Sequence, residues 1–144
     1  MTSIDGFQGP VLVTVAYFCL WYYFLLGLQR GTKYRLIDEF SKRGEQFDRY
    51  FGANEEMLAV DRVVINTHEQ MIPFLACMWL CAIFVSTALA TVCGSIYVLS
   101  RAAYPLLIGK RVSKIQPKRV FISTLPGYLM ILVMMVSLVY ASLF

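Results

Sequence analysis

The residues best suited to chemistry lie in one short run, Asp61-Arg62-Val63-Val64-Ile65-Asn66-Thr67-His68-Glu69-Gln70-Met71-Ile72-Pro73-Phe74. At about 100° per helical residue, Arg62, Asn66, Glu69 and Pro73 fall within an arc of about 60°, and Arg62 to Glu69 rises roughly 10 Å. A guanidinium fork, an amide and a carboxylate in line suit a ligand with separated carboxylate and ammonium ends. The same spacing would equally serve an intrahelical Arg62–Glu69 pair that only tames two charges. Glu69 abuts a long apolar block, and a carboxylate at such a depth must face protein or a wet cavity.

Tyr97, Arg101 and Tyr104 form a second stripe at i, i+4 and i+7. Alone it would suit a snorkelling arginine within an interfacial tyrosine belt. On consecutive helices, the two stripes can converge on one cleft. Arg119 follows Ile115-Gln116-Pro117-Lys118. Proline is comfortable in a first helical turn, whose free N–H groups attract anions. Arg119 there could stabilise a thiolate or phosphate, or act with Lys118 as an ordinary positive anchor. His68, the only histidine, points away from the Arg62 stripe and is not expected to be catalytic. Cys19, Cys77, Cys81 and Cys93 sit in apolar runs and read as small hydrophobes. No metal site is expected.

The elements that must carry these residues are membrane helices. Of the 144 residues, 58% are hydrophobic and 15% charged, against about 45–50% and about 25% in soluble domains. No charged residue occurs in Gly6–Gln29, Gln70–Ser100 or Val120–Phe144. A hydrocarbon core about 30 Å thick needs about 20 helical residues. A soluble enzyme and a nucleic-acid-binding domain are thereby excluded. The middle block is too long for one crossing, and Ser86-Thr87, Thr91 and Gly94 mark a turn. The expected fold is an all-α, integral membrane four-helix bundle in one domain spanning 1–144, with helices near 8–30, 57–85, 89–109 and 117–143. The first block has no basic leader and no Ala-x-Ala site, so it is expected to stay in the mature chain.

All thirteen Lys and Arg residues lie in or beside two loops, 30–56 and 110–119. The positive-inside rule puts both loops on the cytoplasmic (or matrix or stromal) side and both termini on the other. The net charge of +4 is then a topology signal, not a nucleic-acid footprint. The first loop mixes charge with Phe40, Phe47, Tyr50 and Phe51 and is expected to pack on that face.

The combined pattern resembles the MAPEG family, the membrane-associated proteins in eicosanoid and glutathione metabolism. Arg62-x-x-x-Asn66-x-x-Glu69-x-x-x-Pro73-Phe74 is similar to the second-helix motif of the microsomal glutathione transferases. Gly94-x-x-Tyr97-x-x-x-Arg101-x-x-Tyr104 is similar to the family's third-helix pattern. The resemblance implies a homotrimer with glutathione sites between subunits, open to the basic side. By position, Arg62, Asn66 and Glu69 would hold glutathione's charged ends. Tyr104 and Arg101 would complete the pocket, and Arg30 would help cradle the tripeptide. Arg119 would be the catalytic residue that stabilises the thiolate.

Ile108 stands where family synthases often carry a tyrosine, and Gln70 where leukotriene-C-type synthases do. Both argue against a dedicated leukotriene synthase. The expected function is a glutathione-dependent transferase or peroxidase for lipophilic electrophiles or lipid hydroperoxides. The alternative is a non-catalytic family member that presents lipid or serves a larger membrane complex.

Overall fold

The computed structural model describes residues 5–109 and 117–144. Its helices are α1 (Gln8–Lys42), α2 (Glu55–Glu69), α3 (Met71–Phe84), α4 (Thr87–Ile108) and α5 (Pro117–Leu143). Since α2 and α3 are joined only by Gln70, they form one interrupted rod, and the chain is an all-α four-helix membrane protein. Residues 110–116, with Lys110, Arg111 and Lys114, lie outside the described residues.

Helix α1 does not stop near residue 30 but runs on to Lys42, so half of the expected first loop is helical. Residues 31–42 keep a helical register with Thr32 and Leu36 buried, and Arg35–Glu39 and Asp38–Lys42 pair one turn apart. Such i,i+4 pairs support an exposed helix despite Gly31. Cys19–Leu25 is wound as a π-helix. Its wide turns advance the buried stripe from Val13 and Tyr17 to Leu25 and Leu36.

Local chemistry sets the other ends. The Asn54 side chain accepts from the amides of Glu56 and Met57 at 3.1 and 3.0 Å, capping α2. Ser86 caps α4, accepting from the Leu89 amide at 3.3 Å. The hairpin between α3 and α4 is therefore only Val85 and Ser86.

Each helix buries a narrow stripe: Phe74, Met78 and Cys81 on α3, Cys93 and Tyr97 on α4, Ile131 and Met134 on α5. A second cluster, Leu25, Ala59, Val63, Val64, Tyr104 and Ile108, lies towards the basic loops. Close approach needs glycine at Gly94, where a Cβ would lie 2.7 Å from Val13 Cγ1 and 2.9 Å from Met78 Sδ. Gly127 plays this part on α5, facing Ser100 Oγ and the Tyr97 ring. Outside the stripes, Leu12, Val15, Tyr23, Phe84, Leu132 and Val136 are exposed. An apolar surface this extensive belongs in lipid.

Helices α1, α4 and α5 are long and apolar enough to cross a bilayer. Helix α3 alone has 14 residues, about 21 Å of rise, short of the roughly 30 Å hydrocarbon core.

Candidate functional site

The interruption between α2 and α3 follows from Pro73. Lacking an N–H, it cannot donate to the Glu69 carbonyl, and the helical ladder cannot run through unbroken. Gln70 bridges the gap at φ −89°, ψ −2°, and helical bonding resumes with the Phe74 amide donating to the Gln70 carbonyl at 3.1 Å. Among the last-turn carbonyls of α2, that of Thr67 accepts the Tyr17 hydroxyl of α1 at 2.7 Å. Below the break, Phe74 stacks flat on Tyr97 with centroids 3.8 Å apart.

A polar cluster lies between the two apolar ones. Arg101 of α4 is wholly buried. Its Nη1 donates to Asn66 Oδ1 at 2.9 Å, and its Nη2 donates to Gln70 Oε1. The guanidinium carbon lies 5.3 Å from the Tyr97 ring centroid and 5.7 Å from that of Tyr104. Gln70 Nε2 donates in turn to the Tyr128 hydroxyl of α5 at 2.7 Å. Among the described residues no carboxylate pairs with Arg101, and its Nε has no hydrogen-bond partner. Two amide oxygens and two ring faces hold the charge instead.

The residues expected from the sequence divide into two groups. Asn66, Arg101 and Tyr104 come together inside the protomer. Arg30, Arg62, Glu69 and Arg119 are exposed. The intrahelical Arg62–Glu69 pair does not form, and neither residue has an ion-pair partner among the described residues. Two links set the level of the exposed arginines. Gln29, beside Arg30, donates to Asp61, beside Arg62, at 2.7 Å. Val120, beside Arg119, packs on the cluster containing Val63 and Tyr104. All three arginines therefore lie towards the same end of the bundle. His68 is exposed and stacks on Trp21 with centroids 5.3 Å apart, off the stripe.

Gln70 and Tyr128 are partners in the Arg101 cluster that the sequence reading did not place there, Gln70 having been noted only as a departure from the synthase pattern. Gln70 is i+4 from Asn66, so it was legible as a member of the same face, had the break at Pro73 been used to place it. Tyr128 carries no signal beyond its apolar surroundings. The four cysteines are free thiols, and no cluster among the described residues could hold a metal.

A model of the MAPEG family matches residues 10–140, nearly the whole chain. The chain belongs to the MAPEG family. Membership makes it a membrane protein from a family of glutathione and eicosanoid metabolism, and Asn66 and Arg101 of the polar cluster fall on the two helices whose motifs carry the resemblance. Compared singly with curated proteins, the chain matches none.

Proposed function

We propose that this MAPEG protein is a membrane-bound, glutathione-dependent transferase or peroxidase acting on lipophilic electrophiles or lipid hydroperoxides. The observation that carries the reading is the split between a half-buried, fixed group and exposed, unpaired ones. Asn66 is clamped by Arg101, while Arg62 and Glu69 on the same stripe are exposed and without ion-pair partners. Charges left unpaired on an apolar helix rim await a counterpart of opposite charge, and glutathione offers carboxylates and an ammonium.

The residues divide the work. Arg62 and Arg30 take carboxylates, Glu69 takes the ammonium, and Asn66 and Tyr104 orient the backbone of the tripeptide. Arg101 acts through Asn66 and does not touch the ligand. Bound glutathione supplies the nucleophilic thiol, whose ordinary pKa near ~8.5 leaves only a few per cent ionised at neutral pH. Arg119 raises that fraction by favouring the anionic sulfur. Because Arg30, Arg62, Glu69 and Arg119 all face outwards, the site is completed by neighbouring copies in a homotrimer. The chain crosses the membrane four times, with the last turns of α2 adding the length that α3 lacks. The two basic loops lie on the cytoplasmic, matrix or stromal side.

Glutathione titration of the detergent-solubilised protein tests this, following thermal stability and thiolate absorbance near ~240 nm. Saturable stabilisation with a rise in absorbance, the rise lost in Arg119→Ala, is the expected result. No stabilisation at millimolar glutathione overturns the reading. Stabilisation without thiolate favours the lipid-presenting or accessory alternative, for which Gln70 in place of the synthase tyrosine is the supporting observation.

A further inference from the structure

Two of the most exposed large side chains outside the bundle are neighbours, Tyr50 at 86% and Phe51 at 94%. They sit in the stretch between α1 and α2, where water-exposed aromatics would ordinarily be selected against. Three side chains tie this stretch to α1 and α2. Arg49 Nη1 and Nη2 reach Asp61 Oδ2 and Oδ1 at 2.8 and 2.9 Å, a bidentate pair. Gln29 Nε2 donates to the same Asp61 carboxylate at 2.7 Å. Gln29 is also the last residue of the charge-free run that begins at Gly6. From Gln8 to Gln29 the helix rises about 30 Å, its π segment rising less per residue than the α turns, one hydrocarbon thickness. Asp61 is thus level with the membrane surface, and Arg49 is tethered to it. An arginine side chain spans roughly the depth of the headgroup layer, which adds ~5–7 Å beyond the hydrocarbon on each side.

The backbone of this turn is prepared for such a place. Asp48 Oδ1 accepts the Tyr50 amide at 3.0 Å and the Phe51 amide at 2.9 Å. Those N–H groups therefore need no water, the condition for a segment to enter an interface. At Gly52 any Cβ would press on the Asp48 carbonyl at 2.5 Å, so the turn closes tightly and keeps the two aromatics adjacent. Arg49 also lies over the Tyr50 ring, at 5.8 Å from its centroid.

We propose that residues 48–52 form an interfacial anchor that seats Tyr50 and Phe51 in the headgroup and upper acyl layer of the bilayer, with the Arg49–Asp61 pair fixing its depth. Aromatic side chains with satisfied backbones favour this layer. The α1 extension, rising about 18 Å from Arg30 to Lys42, carries the chain away from the membrane, and the turn brings it back.

The test places the photoreactive residue p-benzoylphenylalanine at Phe51, and separately at Glu45, in the full chain. The chain is reconstituted in phosphatidylcholine–phosphatidylserine vesicles and irradiated. Intact mass should show lipid adducts at position 51 at least fivefold above those at position 45, and Arg49→Gln should lower the yield at 51 severalfold. Equal yields at the two positions overturn the anchor. A covalent dimer as the main product overturns it in favour of a contact between copies. Lipid adducts untouched by Arg49→Gln overturn the role of the pair in setting depth. Circular dichroism of each variant separates loss of the anchor from loss of the fold.

Discussion

The guanidinium of Arg101 is held by the side-chain oxygen of Gln70, and Gln70 passes the contact to the hydroxyl of Tyr128. A buried cation held by amides loses much if an amide goes, because the full desolvation penalty returns. Gln70→Leu should lower stability by about 1–3 kcal/mol. Gln70→Glu should recover much of this, since the carboxylate still accepts from Arg101. Thermal unfolding of both variants in one detergent checks the order, and a Leu variant as stable as the parent would remove the bridge from the account.

Gly94 and Gly27 make a controlled pair. A methyl at Gly94 meets Val13 and Met78, whereas one at Gly27 meets nothing within 4 Å. Gly94→Ala should cost about 1–3 kcal/mol through overpacking. Gly27→Ala should be neutral or stabilising, as expected for a mid-helix glycine replaced by alanine. Chemical or thermal denaturation of the two variants side by side is the measurement.

How much of this was legible in the sequence depended on which interaction carried the information. Apolar runs and the 3.6-residue stripes gave the helices and the faces that carry Asn66 and Arg101, because both depend on spacing along one rod; the hydrogen bond between the two joins separate helices and had no such signal. The end of α1 was misplaced because hydropathy falls at Arg30 while helix continues on ion pairs and a two-residue buried stripe. The π segment was invisible, since Cys19–Leu25 has no proline or glycine to mark it. Glu69 belonged to the motif by spacing, yet only coordinates show that Gln70, not Glu69, turns inward at the break. Tyr17 and Tyr128 reach the cluster from distant helices, and no local pattern announces such contacts.

Tyr17→Phe removes one hydroxyl that caps the Thr67 carbonyl. The expected loss is about 0.5–1.5 kcal/mol. It should be local first, so amide exchange in the stretch around Gln70 should quicken before global unfolding does. Hydrogen exchange read by mass spectrometry on peptides covering residues 65–75 gives the answer. Uniform change across all helices would mean that the hydroxyl supports packing in general and not the break.

In the loop, backbone hydrogen bonds, chiefly from the Phe51 amide, hold the Asp48 carboxyl below its ordinary range. A depressed carboxylate stabilises the turn at every pH above its unfolded value near ~3.9, and the effect disappears as pH falls through the lower folded value. Protection of the Tyr50 and Phe51 amides, corrected for intrinsic exchange, should therefore be flat from neutral pH down to about 5 and be lost only in stronger acid. Asp48→Ala should abolish it at every pH. Protection that fades between neutrality and pH ~6 would point to another titrating group.

The functional reading makes its sharpest claim at Arg62 and Glu69. Both are exposed and unpaired among the described residues, so replacing either should leave stability within about 0.5 kcal/mol of the parent. Charge-assisted bonds to a ligand are worth about 1.5–3 kcal/mol each, so Arg62→Ala and Glu69→Ala should each weaken glutathione binding by about 10-fold or more. Asn66→Ala should do both, since it removes a ligand contact and leaves Arg101 Nη1 without its acceptor. Calorimetric titration paired with thermal melts separates the effects. If all three variants instead lose stability and binding together, the stripe is a packing device and not a ligand site.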